Sequence, residues 1–197
     1  TRALYLPPEE IDDHPESVGG PIPGTRARLE GAAGRSPGPG RPGELVVAGD
    51  HVMLGYWGDP EGTAALVRPD GEGGRELWTG DLFTTDGEGR FYFQGRKDDL
   101  IKVEGRKVYP LEVEREAARL EGVGQACLLG RPDPLSGEKL VLYLVPAPGH
   151  RLEAADIIAR LKEVLEDAKV PRQVVLCERF PLTPSGKVDR KALREEG

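Results

Sequence analysis

The chain of 197 residues has two cysteines, one methionine and three histidines, and only 6% of it is aromatic. Cys127 and Cys177 lie far apart, each in an apolar strand-like run. They read as buried free thiols of a reducing compartment, the cytoplasm, rather than a disulfide framework. His14, His51 and His150 are scattered and form no metal-ligand pattern, so no metal site is expected. Nowhere does an apolar run approach the roughly 20 residues of a membrane-spanning helix. Positive charge is not in excess either. The net charge is −7, which argues against nucleic acid or an anionic membrane as a general partner. No secretory signal is visible, and Thr1 in place of Met points to an absent or processed start. There is no internal repeat.

What the chain does have is 27 glycines, 18 prolines and 31% charged residues, with 38% hydrophobic residues to build cores. Thr1 to Gly43 is rich in Pro and Gly, with short strands expected at Leu4–Leu6 and Thr25–Glu30. Arg35 to Gly43 (RSPGPGRPG) reads as a surface loop. Its glycines are not a phosphate cradle, because no Lys-Ser/Thr follows and no helix opens there. Glu44–Ala48 reads as a strand. Asp59 caps a short helix with Pro60 at its first position, and Tyr56 and Trp57 beside it are expected to pack. Leu82–Thr85 and Phe91–Gln94 flank the hairpin turn Asp86-Gly87-Glu88-Gly89. The first half is thus a small β-rich unit, resembling a distorted barrel.

The second half changes character. Leu100–Val103 and Val174–Cys177 read as strands, as do Gln125–Leu129 and Leu140–Val145 around the turn Pro132–Gly137. Pro110 opens a helix with Val113, Ala117 and Leu120 on one face, closed by Gly122. A second helix, about Glu153–Glu166, buries Ile157, Ile158, Leu161, Val164 and Leu165. The expected class is α+β: a β-rich unit over residues 1–97, then a compact α+β unit over residues 98–197.

Between them lies Gly95 to Pro110 (GRKDDLIKVEGRKVYP), with five cations, Arg96, Lys97, Lys102, Arg106 and Lys107, against Asp98, Asp99 and Glu104. The expected pairing is local, through those three acids. Adjacent aspartates tolerate turn geometry, so the run suits a hinge, although a solvated charged loop has the same composition. Upstream, Asp81 in Thr79-Gly80-Asp81 offers two acceptor oxygens, matched to the adjacent hydroxyls of a ribose. The same aspartate could simply cap a turn.

Four stretches in order carry a resemblance: GYWGDPEGT (Gly55–Thr63), WTGDL (Trp78–Leu82), Gly95–Pro110 and PLTPSGKVDRKAL (Pro181–Leu193). Over Val18 to Leu193 the chain resembles the adenylate-forming superfamily of acyl-CoA synthetases, peptide-synthetase adenylation domains and luciferases. The resemblance implies an AMP-forming acid–thiol ligase, with ATP, Mg²⁺ and CoA or a pantetheine carrier as cofactors and a small-molecule carboxylate as substrate. Lys187 is implied as the catalytic lysine, with Ser185 and Gly186 giving its loop freedom. Asp81 and Arg96 are implied as nucleotide contacts, although Arg96 could instead pair with Asp98 or Asp99. Asp98 is the implied hinge. Lys102 and Gly105 are assigned to thioester formation after rotation of the small domain, with Arg106 and Lys107 as phosphate contacts. Many relatives have Gly-x-Arg at this point, whereas Arg106 and Lys107 both follow Gly105 here, so which of the two meets phosphate stays open.

The family's phosphate loop, adenine-binding strand and acyl pocket have no counterpart in this sequence. The expected partner is therefore a missing N-terminal adenylation region, and the chain alone is expected to be inactive. Two alternatives remain at this level. One is a peptide-synthetase adenylation domain serving a carrier protein. The other is a free-standing, non-catalytic binding or regulatory module.

Overall fold

The computed structural model describes residues 3–31 and 34–195. The chain divides into two compact units, Thr1–Asp98 and Asp99–Gly197. The first contains β1 (Leu4–Tyr5), β2 (Ser17–Pro21), β3 (Arg26–Glu30), β4 (Gly43–Ala48), α1 (Pro60–Leu66), β5 (Val67–Pro69), β6 (Arg75–Thr85) and β7 (Phe91–Arg96). They form one curled antiparallel sheet in the order β1-β2-β7-β6-β4-β3, with β5 also paired to β6. Strand β4 is buried along its whole length, as its run of apolar residues requires. Leu29, Leu45, Val47, Phe83 and Phe91 make the core. Phe83 meets Phe91 and Phe93 edge-on, with centroids 6.4 and 5.3 Å apart, the arrangement ring quadrupoles favour.

Local chemistry sets the boundaries. Asp59 caps α1 by accepting a hydrogen bond from the Gly62 amide, and Pro60 occupies the first turn, where no amide is needed. In the β6–β7 hairpin, the Asp86 carboxylate accepts from the amides of Glu88 and Arg90. Tyr56 and Trp57 do not pack as expected: they are 50% and fully exposed. They sit in the tight turn closed by the Tyr56–Asp59 bridge, which leaves Trp57 in solvent and Tyr56 at the border of a surface cavity.

The second unit contains β8 (Ile101–Val103), β9 (Arg106–Val108), α2 (Pro110–Ala118), β10 (Val123–Asp133), β11 (Gly137–Pro146), α3 (Ala154–Val164), β12 (Gln173–Leu176) and α4 (Arg190–Glu195). The sheet order is β10-β11-β8-β9, with β12 parallel to β11. Successive β11 residues face opposite sides, as the two-residue period of a strand demands. Leu140, Leu142 and Leu144 pack with Val113 and Ala117 of α2 and Ile157 and Leu161 of α3. Val141 and Tyr143 pack with Cys127, Leu129, Phe180 and Leu193. Cys127 is buried, but Cys177 is only half-buried.

Both α3 and the β10–β11 hairpin correct the sequence reading. Val164 was assigned to the buried stripe of α3 but is 60% exposed. The helix stops there, and Leu165 reaches the core from an extended backbone (φ −108°, ψ 149°). The hairpin pairs continuously from Gln125↔Val145 to Asp133↔Gly137, well past the apolar residues that marked it. The Asp133 carboxylate, lowered from its ordinary value by the amide and hydroxyl of Ser136 and the amide of Leu135, accepts from Leu135 and from Ser136 and so closes the hairpin.

These burials separate two truncations to alanine. Leu142→Ala should cost about 2–5 kcal/mol, because it opens a cavity between two helices and a sheet. Val164→Ala should change stability by no more than ~0.5 kcal/mol. Urea unfolding followed by circular dichroism checks both, and equal costs would contradict the assigned faces.

Candidate active-site elements

In the first unit the structure brings Asp81 and Arg96 together, in register across β6 and β7. The Arg96 guanidinium donates through Nη1 to Asp81 Oδ1 at 2.8 Å and to the Thr79 carbonyl at 3.1 Å. Neither Asp98 nor Asp99 is its partner, which corrects the local-pairing expectation. Asp81 Oδ2 and Arg96 Nη2 make no hydrogen bond among the described residues, and both side chains are partly exposed. One acceptor and one donor therefore stay available side by side, a fit to a vicinal diol.

The Thr79–Asp81 segment lies within β6 rather than in a free turn. Its geometry depends on Glu44, which no motif or periodicity singles out. The buried Glu44 carboxylate accepts from the Gly80 amide at 3.1 Å and from Lys97 Nζ at 2.7 Å. Gly80 has φ +70°, and a Cβ there would stand 3.1 Å from Arg96 Nη2. Both the conformation and the space call for glycine. Beside Asp81 opens a cavity of about 550 Å³, lined mainly by apolar side chains including Leu45, Val47, Trp78 and Phe83. Glu76 accepts from Arg28 at 2.8 and 3.2 Å and from the Trp78 indole, while Arg68 lies 4.1 Å over the Trp78 ring. The Arg28 hydrogen bonds, and then the indole, hold the Glu76 carboxyl below its ordinary value.

In the second unit β8 and β9 form a hairpin whose two turn residues are Glu104 and Gly105. Both have positive φ, 50° and 77°, as a two-residue turn of matching twist requires. Nothing lies within 4 Å of a Cβ built on Gly105, so the backbone at this turn is open to an approaching ligand. Glu104 does not pair with its neighbours; its carboxylate accepts from Arg172 at 3.2 Å. Lys102 and Lys107 stand directly opposite each other across the strands, both exposed. Arg106 alternates to the other face and lines a cleft of about 310 Å³ with Glu104, Asp167, Val170 and Arg172.

Lys187 stands on a different hairpin. The Thr183 amide donates to the Lys187 carbonyl at 2.8 Å, the Gly186 amide to the Thr183 carbonyl at 2.9 Å, and the Asp189 amide to the Pro181 carbonyl at 2.8 Å. Leu182 bridges to Val188. The loop is thus a closed hairpin rather than the loose tether its Ser-Gly sequence suggests. Lys187 is exposed at its tip and has no ion-pair partner among the described residues.

The two hairpins hang from opposite sides of the sheet. β8–β9 joins β11 on the side away from β10, through Gly137↔Val103. The Lys187 hairpin leads into α4, whose Arg190 bonds the free edge of β10 at Leu128. Asp98 and Asp99 fall where the first unit ends and the second begins. Cys127 offers no nucleophile, since burial pushes its thiol up to about 12. Among the described residues no group of three His, Cys, Asp or Glu could hold a metal ion, and no helix is long and apolar enough to cross a membrane.

Fold and elements together define a mixed α+β protein whose second unit carries two cationic hairpins. Comparison with known proteins makes the class specific. Residues 2–57 match the family described as AMP-binding enzyme, and residues 112–187 match the AMP-binding enzyme C-terminal domain. A feruloyl-CoA synthase from an Amycolatopsis species is 41% identical over 193 residues, covering 97% of this chain and 38% of that protein. An amide bond synthetase from Marinactinospora thermotolerans superimposes with a TM-score of 0.88 at 32% identity, over 98% of this chain and 39% of that one. The o-succinylbenzoate CoA synthetase of Bacillus subtilis, in complex with its acyl-adenylate intermediate, also gives 0.88, at 29% identity over 98% and 38%. The chain belongs to the adenylate-forming superfamily, and it spans less than two-fifths of the length of these relatives.

The Glu76 network has a pH signature. Its carboxyl is depressed in the folded state, so its contribution is complete above the unfolded value of about 4.3 and is lost as pH falls through the lower folded value. Glu76→Gln should therefore lower stability by about 1 kcal/mol or less at pH 6.5, and the gap to the parent should close towards pH 3. Urea midpoints at the two pH values test this; a gap that persists at pH 3 would contradict the assignment.

Proposed function

We propose that the chain is the C-terminal part of an AMP-forming acyl-CoA synthetase-like ligase. In the first half-reaction a small-molecule carboxylate attacks the α-phosphate of ATP, giving an acyl-adenylate and releasing pyrophosphate. In the second, the thiol of CoA or of a carrier pantetheine attacks the acyl carbon, and AMP leaves. In this reading residues 1–97 are the last subdomain of a larger adenylation domain, whose remaining parts supply the phosphate loop, adenine pocket and acyl pocket. Residues 98–197 are the mobile C-terminal domain, with Asp98 as hinge. Free thiols at Cys127 and Cys177 suit a cytoplasmic setting.

The observation that carries the proposal is the placement of the two cationic hairpins on opposite sides of one small sheet. In this reading each hairpin serves a different step, and the unit reorients between the two. Lys187 serves adenylation: carboxylate and α-phosphate repel one another, and an unpaired ammonium between them offsets that charge as the new bond forms. Asp81 and Arg96 hold the ribose hydroxyls through the oxygen and nitrogen they leave open. Mg²⁺ would travel with the ATP phosphates and reduce their charge.

The β8–β9 hairpin serves the thiol step. The open backbone at Gly105 lets the pantetheine arm pass. Lys102 and Lys107 are like charges directly opposite, an arrangement that costs stability unless an anion lies across them, and the phosphates of CoA supply one. Arg106, on the other face, lies in the cleft beside Gly105 and meets phosphate from that side. Both residues after Gly105 thus have a place, on opposite faces of the hairpin.

In a complete ligase carrying this chain, Lys187→Ala should slow adenylation, read by pyrophosphate exchange, by about 100-fold or more. Thioester formation from supplied acyl-adenylate should be largely spared. Equal loss in both half-reactions would contradict the division of labour.

A further inference from the structure

Glu114 and Arg190 form a well-bonded ion pair in the second unit, and neither touches a loop assigned to substrate. Arg190 Nη2 lies 2.8 Å from Glu114 Oε1. Its Nη1 donates to the Leu128 carbonyl at 3.0 Å, and the same Glu114 oxygen accepts from the Leu128 amide at 2.7 Å. Leu128 is on β10, the edge strand, so the pair takes both outward backbone groups of one residue there. A sheet edge otherwise leaves such groups to water or to another strand. The Arg190 Nε also stands 3.9 Å from Asp99 Oδ2, the residue directly after the proposed hinge. Burial opposes the charge on Arg190, yet the groups around it, Glu114 first and then Cys127 and Asp99, together outweigh it and hold the guanidinium above its ordinary value.

The position of Arg190 gives this clamp its consequence. The Lys187 hairpin is exposed, and two buried anchors flank it, Phe180 before and Leu193 after. Arg190 lies between the hairpin and Leu193, one residue past Asp189, whose amide closes the loop onto Pro181. Asp189 in turn caps the short α4 through the amides of Lys191 and Ala192. With Arg190 fixed on β10, the base of the hairpin has one position on the unit. Without it, the hairpin would be held to the unit by apolar packing alone, through Phe180, Val188 and Leu193.

We propose that Arg190, held by Glu114, is the positioning residue for Lys187, and that its contact with Asp99 ties the lysine hairpin to the chain leaving the hinge. This rests on the ligase reading for its catalytic consequence, but not for its structural one. A guanidinium fork is needed, because one group must reach Glu114, the Leu128 carbonyl and Asp99 from three directions. A lysine keeps the charge but offers a single point.

The test has two arms. In the 197-residue chain, Arg190→Lys and Glu114→Gln should each speed amide exchange at Thr183 and Gly186 at least ~10-fold, while the amides of Leu142 and Leu144 keep the parent rate. Uniform acceleration across the unit, or no change in the hairpin, would overturn the proposal in favour of a merely stabilising ion pair. In a complete ligase carrying the chain, Arg190→Lys should lower kcat for adenylation at least ~10-fold with KM for ATP unchanged, and spare thioester formation from supplied acyl-adenylate. Unchanged adenylation in Arg190→Lys where Lys187→Ala abolishes it would also overturn the proposal. Should Lys187→Ala itself leave adenylation intact, the ligase reading fails, and the exchange arm still decides whether Arg190 positions the hairpin.

Discussion

Strand β11 has no face to give to water, and the second unit depends on that constraint. From Leu140 to Leu144 every side chain is buried, alternately against α2 and α3 on one face and against Cys127, Leu129, Phe180 and Leu193 on the other. Each such burial is worth about 1.5–3 kcal/mol. A slip of one residue in register would exchange the two cores, so β11 fixes its neighbours firmly. The β8–β9 hairpin is paired to β11 at Gly137, and the Lys187 hairpin is tied to the free edge of β10 through Arg190.

Charge is spent on geometry more than on the local pairs its sequence neighbours suggest. In the run from Arg96 to Lys107, Arg96 pairs with Asp81, Lys97 with Glu44, and Glu104 with Arg172. Each pair joins strands or loops far apart in sequence. Within that run, Lys102, Arg106 and Lys107 of the β8–β9 hairpin have no ion-pair partner among the described residues, and neither has Lys187 on the other hairpin; in the proposed reading these cations meet the anionic groups of the substrates.

Much of this was legible in the residues. Asp59-Pro60 announced α1, Pro110 announced α2, and the apolar alternation of Leu140–Val145 announced β11. The motif strings pointed to Asp81, Arg96, Gly105 and Lys187 as the residues to watch. What could not be read followed from contacts between distant segments. Glu44 looks like any strand-start glutamate until Gly80 and Lys97 are seen on it. Strand β9 has only three residues, two of them charged, and α4 has six residues with Leu193 as its buried anchor; neither shows a periodicity. Tyr56 and Trp57 carry the residue types of a core, yet both lie exposed on a four-residue turn. The role of Arg190 needed Leu128, Glu114 and Asp99 in one place.

The central claim is that this chain holds parts of an adenylating site and not a whole one. Asp81 and Arg96 can give a ribose a few hydrogen bonds, each worth about 0.5–1.5 kcal/mol net, against roughly 4–15 kcal/mol lost on immobilising a ligand. Titration calorimetry of the chain with ATP and Mg²⁺ at physiological salt tests this directly. The account predicts binding no tighter than about millimolar, with any residual attraction to the cationic hairpins removed by added salt. Micromolar binding that disappears in Asp81→Ala would show a complete nucleotide site within these residues and contradict it.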